Sequence, residues 1–224
     1  MNIGQSDVQS KLLLEAGTAV VADVLDSLKV TPAVLAASIG PVTPEVRFAG
    51  PAYTVTGELH WSSAAGDRQK LEAIDAMPAG VVPVWAGTDI KGVCCFGDLL
   101  AEAMKQRGCL GAVVDGGVRD VSYLQTLGLP VRARYNSPAQ AIGRWKVTGS
   151  QQPVRVRGGI DEWVTVAPGD TVICDEDGVI VVAVGDVERV CELVEKWSGT
   201  EVQSREAIRS GSSLIAALEK FGHL

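Results

Sequence analysis

The stretch from Gly92 to Leu124, GVCCFGDLLAEAMKQRGCLGAVVDGGVRDVSYL, constrains the fold of this chain more than any other. Within it, GDLLAEAMKQRG reads as a helix opened by Gly97-Asp98 and closed by Gly108, since glycine readily takes the left-handed turn that ends a helix. A buried strand, VVPVWAG, precedes the segment. The run after the helix, LGAVVDGGVRD, reads as an apolar strand that breaks at Gly116-Gly117, and residues 119–127 resume as a short helix. Apolar strands beside amphipathic helices bury each other's faces only in layers.

The flanking sequence extends this pattern without strict strand–helix alternation. Residues 7–28 predict one or two amphipathic helices, with Val20, Val24, Leu25 and Leu28 at helical spacing and Thr18 as a cap. AGPAYTVTGEL (49–59) alternates as a strand does, and residues 66–77 form a short helix ending at Pro78-Ala79-Gly80. An extended piece begins at Pro130. VTVAPGDTVICD, with a turn at Pro168-Gly169-Asp170, and GVIVVAVG flank the turn from Asp175 to Gly178. The tail, 187–223, is helical with a break near Gly199 and an interruption or end at Gly211. The expectation is one α/β domain over 1–224, a layered sandwich on a mixed sheet, with 187–224 as a helical C-terminal extension.

Charge narrows the function. A net charge of −7, a pI of about 4.9 and scattered basic residues exclude a nucleic-acid footprint, which needs a basic face. One or two local arginines can still hold a small carboxylate. The cysteines at 94, 95, 109, 174 and 191 are odd in number and lack CxxC spacing, so they predict reduced thiols rather than disulfides or a zinc site. No apolar run approaches a membrane span, and the N-terminus lacks the basic and apolar regions of a signal peptide, so a cytoplasmic location is expected.

Two features carry chemistry. At Gly97-Asp98-Leu99-Leu100 a loop turns into a helix, where unpaired backbone N–H groups suit an anion. Further along, Arg119-Asp120 follows an apolar strand and two glycines, the usual place for a ligand at the carboxyl end of a strand in an α/β sheet. One carboxylate suffices for Mg²⁺, which keeps most of its waters and can take two oxygens from a 2-oxo acid. Such an ion polarises the carbonyl as an enolate forms, and a neighbouring guanidinium stabilises the same oxyanion. Residue types alone also allow Arg119-Asp120 to be a surface ion pair or helix cap, and Asp98 a plain cap. The two histidines, His60 and His223, are too few for a nucleophilic triad. Lys91 and Lys105 lie in polar or helical contexts that do not suggest a Schiff base, and no dinucleotide-binding glycine loop is present.

At these residues the chain resembles the family of regulator-of-ribonuclease-E-activity-A-like (RraA-like) proteins, which includes class II 4-hydroxy-4-methyl-2-oxoglutarate/4-carboxy-4-hydroxy-2-oxoadipate aldolases. TAVVADVLDSL, FAGPAYTV, GDLLAEAMKQRGCLGAVVDGGVRD, DEDGVIVV and REAIRSGSSLIAAL carry the resemblance and span most of the chain in the family's order. It implies a swivelling β/β/α fold, like that of phosphohistidine domains, assembled as a homotrimer or homohexamer with sites between subunits. Gly97, Asp98, Leu99 and Leu100 would bind the pyruvyl carboxylate, Arg119 would polarise the keto oxygen, and Asp120 would hold Mg²⁺ or Mn²⁺. Asp98 matches the acidic position of the aldolase-active members, and Glu201 is the placement for a glutamate that the neighbouring subunit supplies. The implied reaction is cleavage of a 4-hydroxy-2-oxo acid to pyruvate and a second oxo acid, with oxaloacetate decarboxylation as a side activity. The competing branch consists of non-catalytic ribonuclease E regulators, which lack the paired Asp and Arg-Asp pattern kept here. One departure is Tyr123, at a position that is acidic in some members.

Overall fold

Four parallel pairings place the segment around Arg119 in the middle of a sheet rather than at its margin. In the computed structural model, which describes residues 3–61, 66–86 and 90–222 apart from the side chains of Ile3, Ser198 and Glu201, the chain opens with helices α1 (Ile3–Ala16) and α2 (Thr18–Ser27). Short strands β1 (Ala33–Val34) and β2 (Gly40–Pro41) lead to the long strand β3 (Phe48–Leu59). Helix α3 (Arg68–Asp75) and strands β4 (Val82–Ala86) and β5 (Cys94–Phe96) precede α4 (Asp98–Gln106), β6 (Ala112–Val118) and α5 (Val121–Leu127). Strands β7 (Val131–Asn136), β8 (Trp145–Ser150), β9 (Val154–Arg157), β10 (Trp163–Val166), β11 (Thr171–Cys174) and β12 (Val179–Val182) follow. The described chain ends in helices α6 (Val187–Arg209) and α7 (Leu214–Phe221).

The main sheet runs β1-β12-β11-β3-β4-β6-β7-β2, with β5 added beside β6 and β8 beside β3. Pairs β3–β4, β4–β6, β5–β6 and β6–β7 are parallel and the others antiparallel, so the sheet is mixed and curled. Its two faces are covered differently. Helices α3, α4 and α5 bury Ile74, Met104 and Leu124 against Trp85, Val114 and Trp145. On the other face the β9–β10 hairpin packs Val154, Val156, Val164 and Val166 on Val82, Val84 and Val113. A further cluster seats α1, α2 and α6 on Ile173, Ile180 and Val182 of β11 and β12. The result is the expected β/β/α layering.

Local chemistry explains the boundaries. Asp67 caps α3 by accepting the Lys70 N–H at 3.1 Å. Helix α4 buries Ala101 and Met104 on one face and ends before Gly108, whose φ of 82° only glycine adopts freely. Thr18 is the first helical residue rather than a cap, and Gly17 holds the cap position. The Thr18 N–H and hydroxyl instead donate to the Asp175 carboxylate at 2.7 Å each.

Two expected breaks do not occur. Gly116 and Gly117 lie inside β6; a Cβ on Gly117 would come within 2.4 Å of the Val93 carbonyl oxygen, so glycine there admits the neighbouring strand β5. The disruption is instead a register shift against β7. Helix α6 runs through Gly199 without interruption, because packing on α1 and α2 outweighs the modest cost of one glycine. Gly211 follows its end, as expected. All five cysteines are free and buried, and among the described residues no helix is long and apolar enough to cross a membrane.

Candidate active site

The site forms where β5 and β6, side by side, both hand over to helices. Phe96 ends β5 and Val118 ends β6, and the Arg119 N–H donates to the Phe96 carbonyl at 3.1 Å. This bond sets Arg119-Asp120 beside Gly97 and the start of α4. Asp120 takes φ 58° and ψ 37°, a left-handed conformation uncommon outside glycine.

The Asp120 carboxylate is the hub. Its Oδ2 accepts the Asp98 N–H at 3.3 Å and lies 3.3 Å from Arg119 Nε. Its Oδ1 accepts no hydrogen bond among the described residues. Gly97 is extended at φ −157°, so any residue could adopt its backbone. A Cβ there, however, would lie 2.8 Å from Asp120 Oδ2 and 3.2 Å from Arg119 Cγ. The glycine is required by close approach. At the helix start, Asp98 Oδ1 accepts the Leu99 N–H at 2.7 Å, which places a carboxylate on one of the amides an anion would use.

Gly97, Asp98, Leu99, Leu100 and Arg119 line a cleft of about 240 Å³, and Asp120 is tied to it through the Asp98 amide. The ion-pair reading of Arg119-Asp120 is therefore correct as geometry, but both side chains remain partly exposed beside an open cleft. Asp98 is the first helical residue, not the cap, which is Gly97. Tyr123 puts its hydroxyl 2.8 Å from Glu102 and donates to it, so an acid from α4 stands beside the position that is acidic in some members. That bond, after one from Gln106, holds the Glu102 carboxyl below its ordinary range. Glu201 lies on α6, which packs on α1, α2 and α7; its side chain is outside the described residues.

Several cleft residues carried no sequence signal. Asp67 and Lys70 come from the start of α3, Cys94 and Cys95 from β5, and Gln140, Ala141 and Ile142 from the loop before β8. Only the Asp67-to-Lys70 spacing at a helix start could have drawn notice. Burial pushes the Cys95 thiol up to about 12, which leaves it protonated and unreactive. His60 does not line the cleft, and His223 lies outside the described residues. Lys105 donates to the Leu127 carbonyl, closing α5 rather than facing the cleft. Asp177 sits in a hairpin turn, its N–H on Asp175 Oδ1 at 3.0 Å.

Among the described residues no three His, Cys, Asp or Glu side chains gather as a metal cage. The site offers carboxylate oxygen, with Asp120 Oδ1 uncommitted. That donor chemistry fits a hard cation which retains most of its water, as Mg²⁺ does, and not a thiolate–imidazole zinc centre.

The sequence model of the RraA-like family, described as Aldolase/RraA, matches residues 18–181. A Halalkalibacterium halodurans protein named "Putative 4-hydroxy-4-methyl-2-oxoglutarate aldolase" is 30% identical over 212 residues, covering 92% of this chain and 91% of that protein. Legionella pneumophila protein DlpA is 28% identical over 226 residues; the match covers 98% of this chain but only 35% of DlpA, about a third of its length. In structure, Streptomyces coelicolor RraAS2, a member of the ribonuclease ES inhibitor family, superposes with a TM-score of 0.75 at 24% identity. That superposition covers 88% of this chain and 96% of RraAS2, and it speaks for the fold alone. Because the family's sequence model matches residues 18–181, most of the sequence, the chain belongs to the RraA-like family.

Proposed function

We propose that this protein is a divalent-metal-dependent lyase that cleaves a 4-hydroxy-2-oxo acid to pyruvate and a second oxo acid, and decarboxylates oxaloacetate as a side activity. The observation that carries the reading is the Asp120 carboxylate, on a left-handed backbone at φ 58°, sharing one oxygen with Arg119 and the Asp98 amide while the other accepts no hydrogen bond among the described residues. A surface ion pair needs neither the strain nor the glycine at position 97.

Asp120 would hold Mg²⁺ or Mn²⁺, which when bound supplies Lewis-acid polarisation of the substrate's keto group. The pyruvyl carboxylate takes the amides at the start of α4, replacing Asp98 Oδ1 on the Leu99 N–H and freeing the Asp98 side chain. Arg119 donates to the C2 oxygen as negative charge develops there. Asp98, directly or through a water, accepts the proton of the C4 hydroxyl. The C3–C4 bond then breaks, its electron pair forms the C2–C3 double bond of pyruvate enolate, and C4 leaves as a carbonyl. Protonation at C3 completes pyruvate. Oxaloacetate uses the same enolate, with carbon dioxide leaving instead. The reading includes a cytoplasmic homo-oligomer, trimer or hexamer, in which Glu201 of one copy completes the site of the next. The exposed apolar side chains of Leu214, Ile215 and Leu218 on α7 support an assembled form.

The test is pyruvate release by Asp120→Ala and Arg119→Lys. Both variants are expected to fold and to lose at least about a hundredfold in kcat. Undiminished turnover in Asp120→Ala would overturn the assignment.

A further inference from the structure

Lys70 stands in the wall of the cleft without a part in the chemistry above. It is 8% exposed, and its ammonium lies 5.5 Å from the centre of the Trp145 ring. The carboxylate paired with it, Asp67, is 3.7 Å away, beyond hydrogen-bond reach. Asp67 is already engaged: Oδ1 accepts the Lys70 N–H at 3.1 Å and Oδ2 the Val147 N–H at 2.9 Å. Among the described residues the ammonium makes no hydrogen bond, so a largely buried cation with three available donors borders the cleft. An anionic ligand in the cleft would accept from those donors in charge-assisted hydrogen bonds.

A second observation places this charge relative to Arg119. Cys94, Lys70 and Arg119 line the same cleft, and burial pushes the Cys94 thiol up while the Arg119 guanidinium and, more weakly, the Lys70 ammonium pull it back across that space. The cleft therefore carries two cationic points: Arg119 beside the start of α4, and Lys70 on α3. Packing on Trp145 and the cap at Asp67 hold Lys70 in place, which favours a fixed receptor for charge over a mobile surface lysine.

We propose that Lys70 makes the site selective for dicarboxylic 2-oxo acids, its ammonium taking the carboxylate remote from the pyruvyl group. The inference rests on the lyase reading, which sets the pyruvyl end against α4. It assigns Lys70 to binding and specificity, not to bond cleavage.

Calorimetric titration of the full chain with Mg²⁺ tests it, using pyruvate and 2-oxoglutarate, which carries a second carboxylate but no C4 hydroxyl to cleave. Wild type is expected to bind 2-oxoglutarate at least about tenfold more tightly than pyruvate. Lys70→Met should weaken 2-oxoglutarate roughly ten- to a hundredfold, the range for losing a hydrogen bond to a charged group, and leave pyruvate within about twofold. Lys70→Arg should recover part of the loss. A wild type that binds pyruvate but shows no preference for 2-oxoglutarate overturns the inference, whether or not the variant folds. Equal weakening of both ligands in Lys70→Met does so too, because a purely structural lysine moves both. Binding of neither ligand by wild type would instead remove the lyase reading beneath it.

Discussion

The Asp98 N–H donates to Asp120 Oδ2 over 3.3 Å, joining the first residue of α4 to the residue that precedes α5. The start of α4 thus binds the carboxylate carried by the cap residue of α5. The positive end of the α4 peptide dipoles favours a negative charge there. Arg119 Nε meets the same oxygen, so the carboxylate is aimed, while Oδ1 accepts no hydrogen bond among the described residues. The expectations below follow from this arrangement and from the residues that support it.

Asp120→Gly separates strain from function. The left-handed φ of 58° costs an aspartate energy that glycine does not incur. The variant is expected to match wild type in stability or exceed it by up to about 1 kcal/mol, and to lose pyruvate release by at least about a hundredfold. Thermal melting and a pyruvate assay on one preparation check both. A markedly lower Tm would mean the carboxylate's bonds hold the fold, returning Asp120 to a structural role.

Gly97→Ala probes close approach without backbone strain. Its Cβ would lie 2.8 Å from Asp120 Oδ2, so the carboxylate must move. The fold should survive, since the obstruction is side-chain atoms of two partly exposed residues. Activity should fall at least about tenfold, because displacements of this size misalign reacting groups. Wild-type kcat in this variant would show that Asp120 has no demanding geometry.

Asp67→Ala removes a helix cap and strands the Val147 N–H. Together these are expected to cost about 2 kcal/mol or more, read from urea denaturation. Asp67→Asn keeps one acceptor and should cost less. A loss under about 0.5 kcal/mol for the alanine variant would mean that water replaces both bonds.

Alkaline pH should destabilise the protein through its cysteines. Burial pushes Cys95 up to about 12 and Cys109, Cys174 and Cys191 up to about 11, against about 8.5 when unfolded. Between those values the folded state holds more protons than the unfolded one. Stability is therefore undiminished below about pH 8.5 and declines as pH rises towards 11, by up to about 1.4 kcal/mol per pH unit for each thiol. Cys174→Ala should flatten that decline in denaturation measured from pH 8 to 10.5. An unchanged slope would contradict thiol control of the alkaline limb.

The sequence made the centre of the site legible because its parts are close along the chain and use residue types with narrow physical meaning. A glycine before a helix and a charged pair after an apolar strand are visible without any knowledge of packing. The glycines within elements were read less well: Gly117 is needed for the approach of β5, a contact made across the sheet. The strands β8 and β9 also went unread, since β8 gains its place by pairing with β3, far away in sequence. Lys70 is the sharpest case. Nothing near it announces that its ammonium will sit over the Trp145 ring, so an apparently ordinary helical lysine becomes a buried cation.

Pyruvate release from oxaloacetate and from 4-hydroxy-4-methyl-2-oxoglutarate, measured with Mg²⁺ and again with excess chelator, tests the central claim most directly. The account predicts turnover of both substrates that disappears with chelator and returns when Mg²⁺ is restored. Turnover unaffected by chelator, or no turnover with either Mg²⁺ or Mn²⁺, would contradict it.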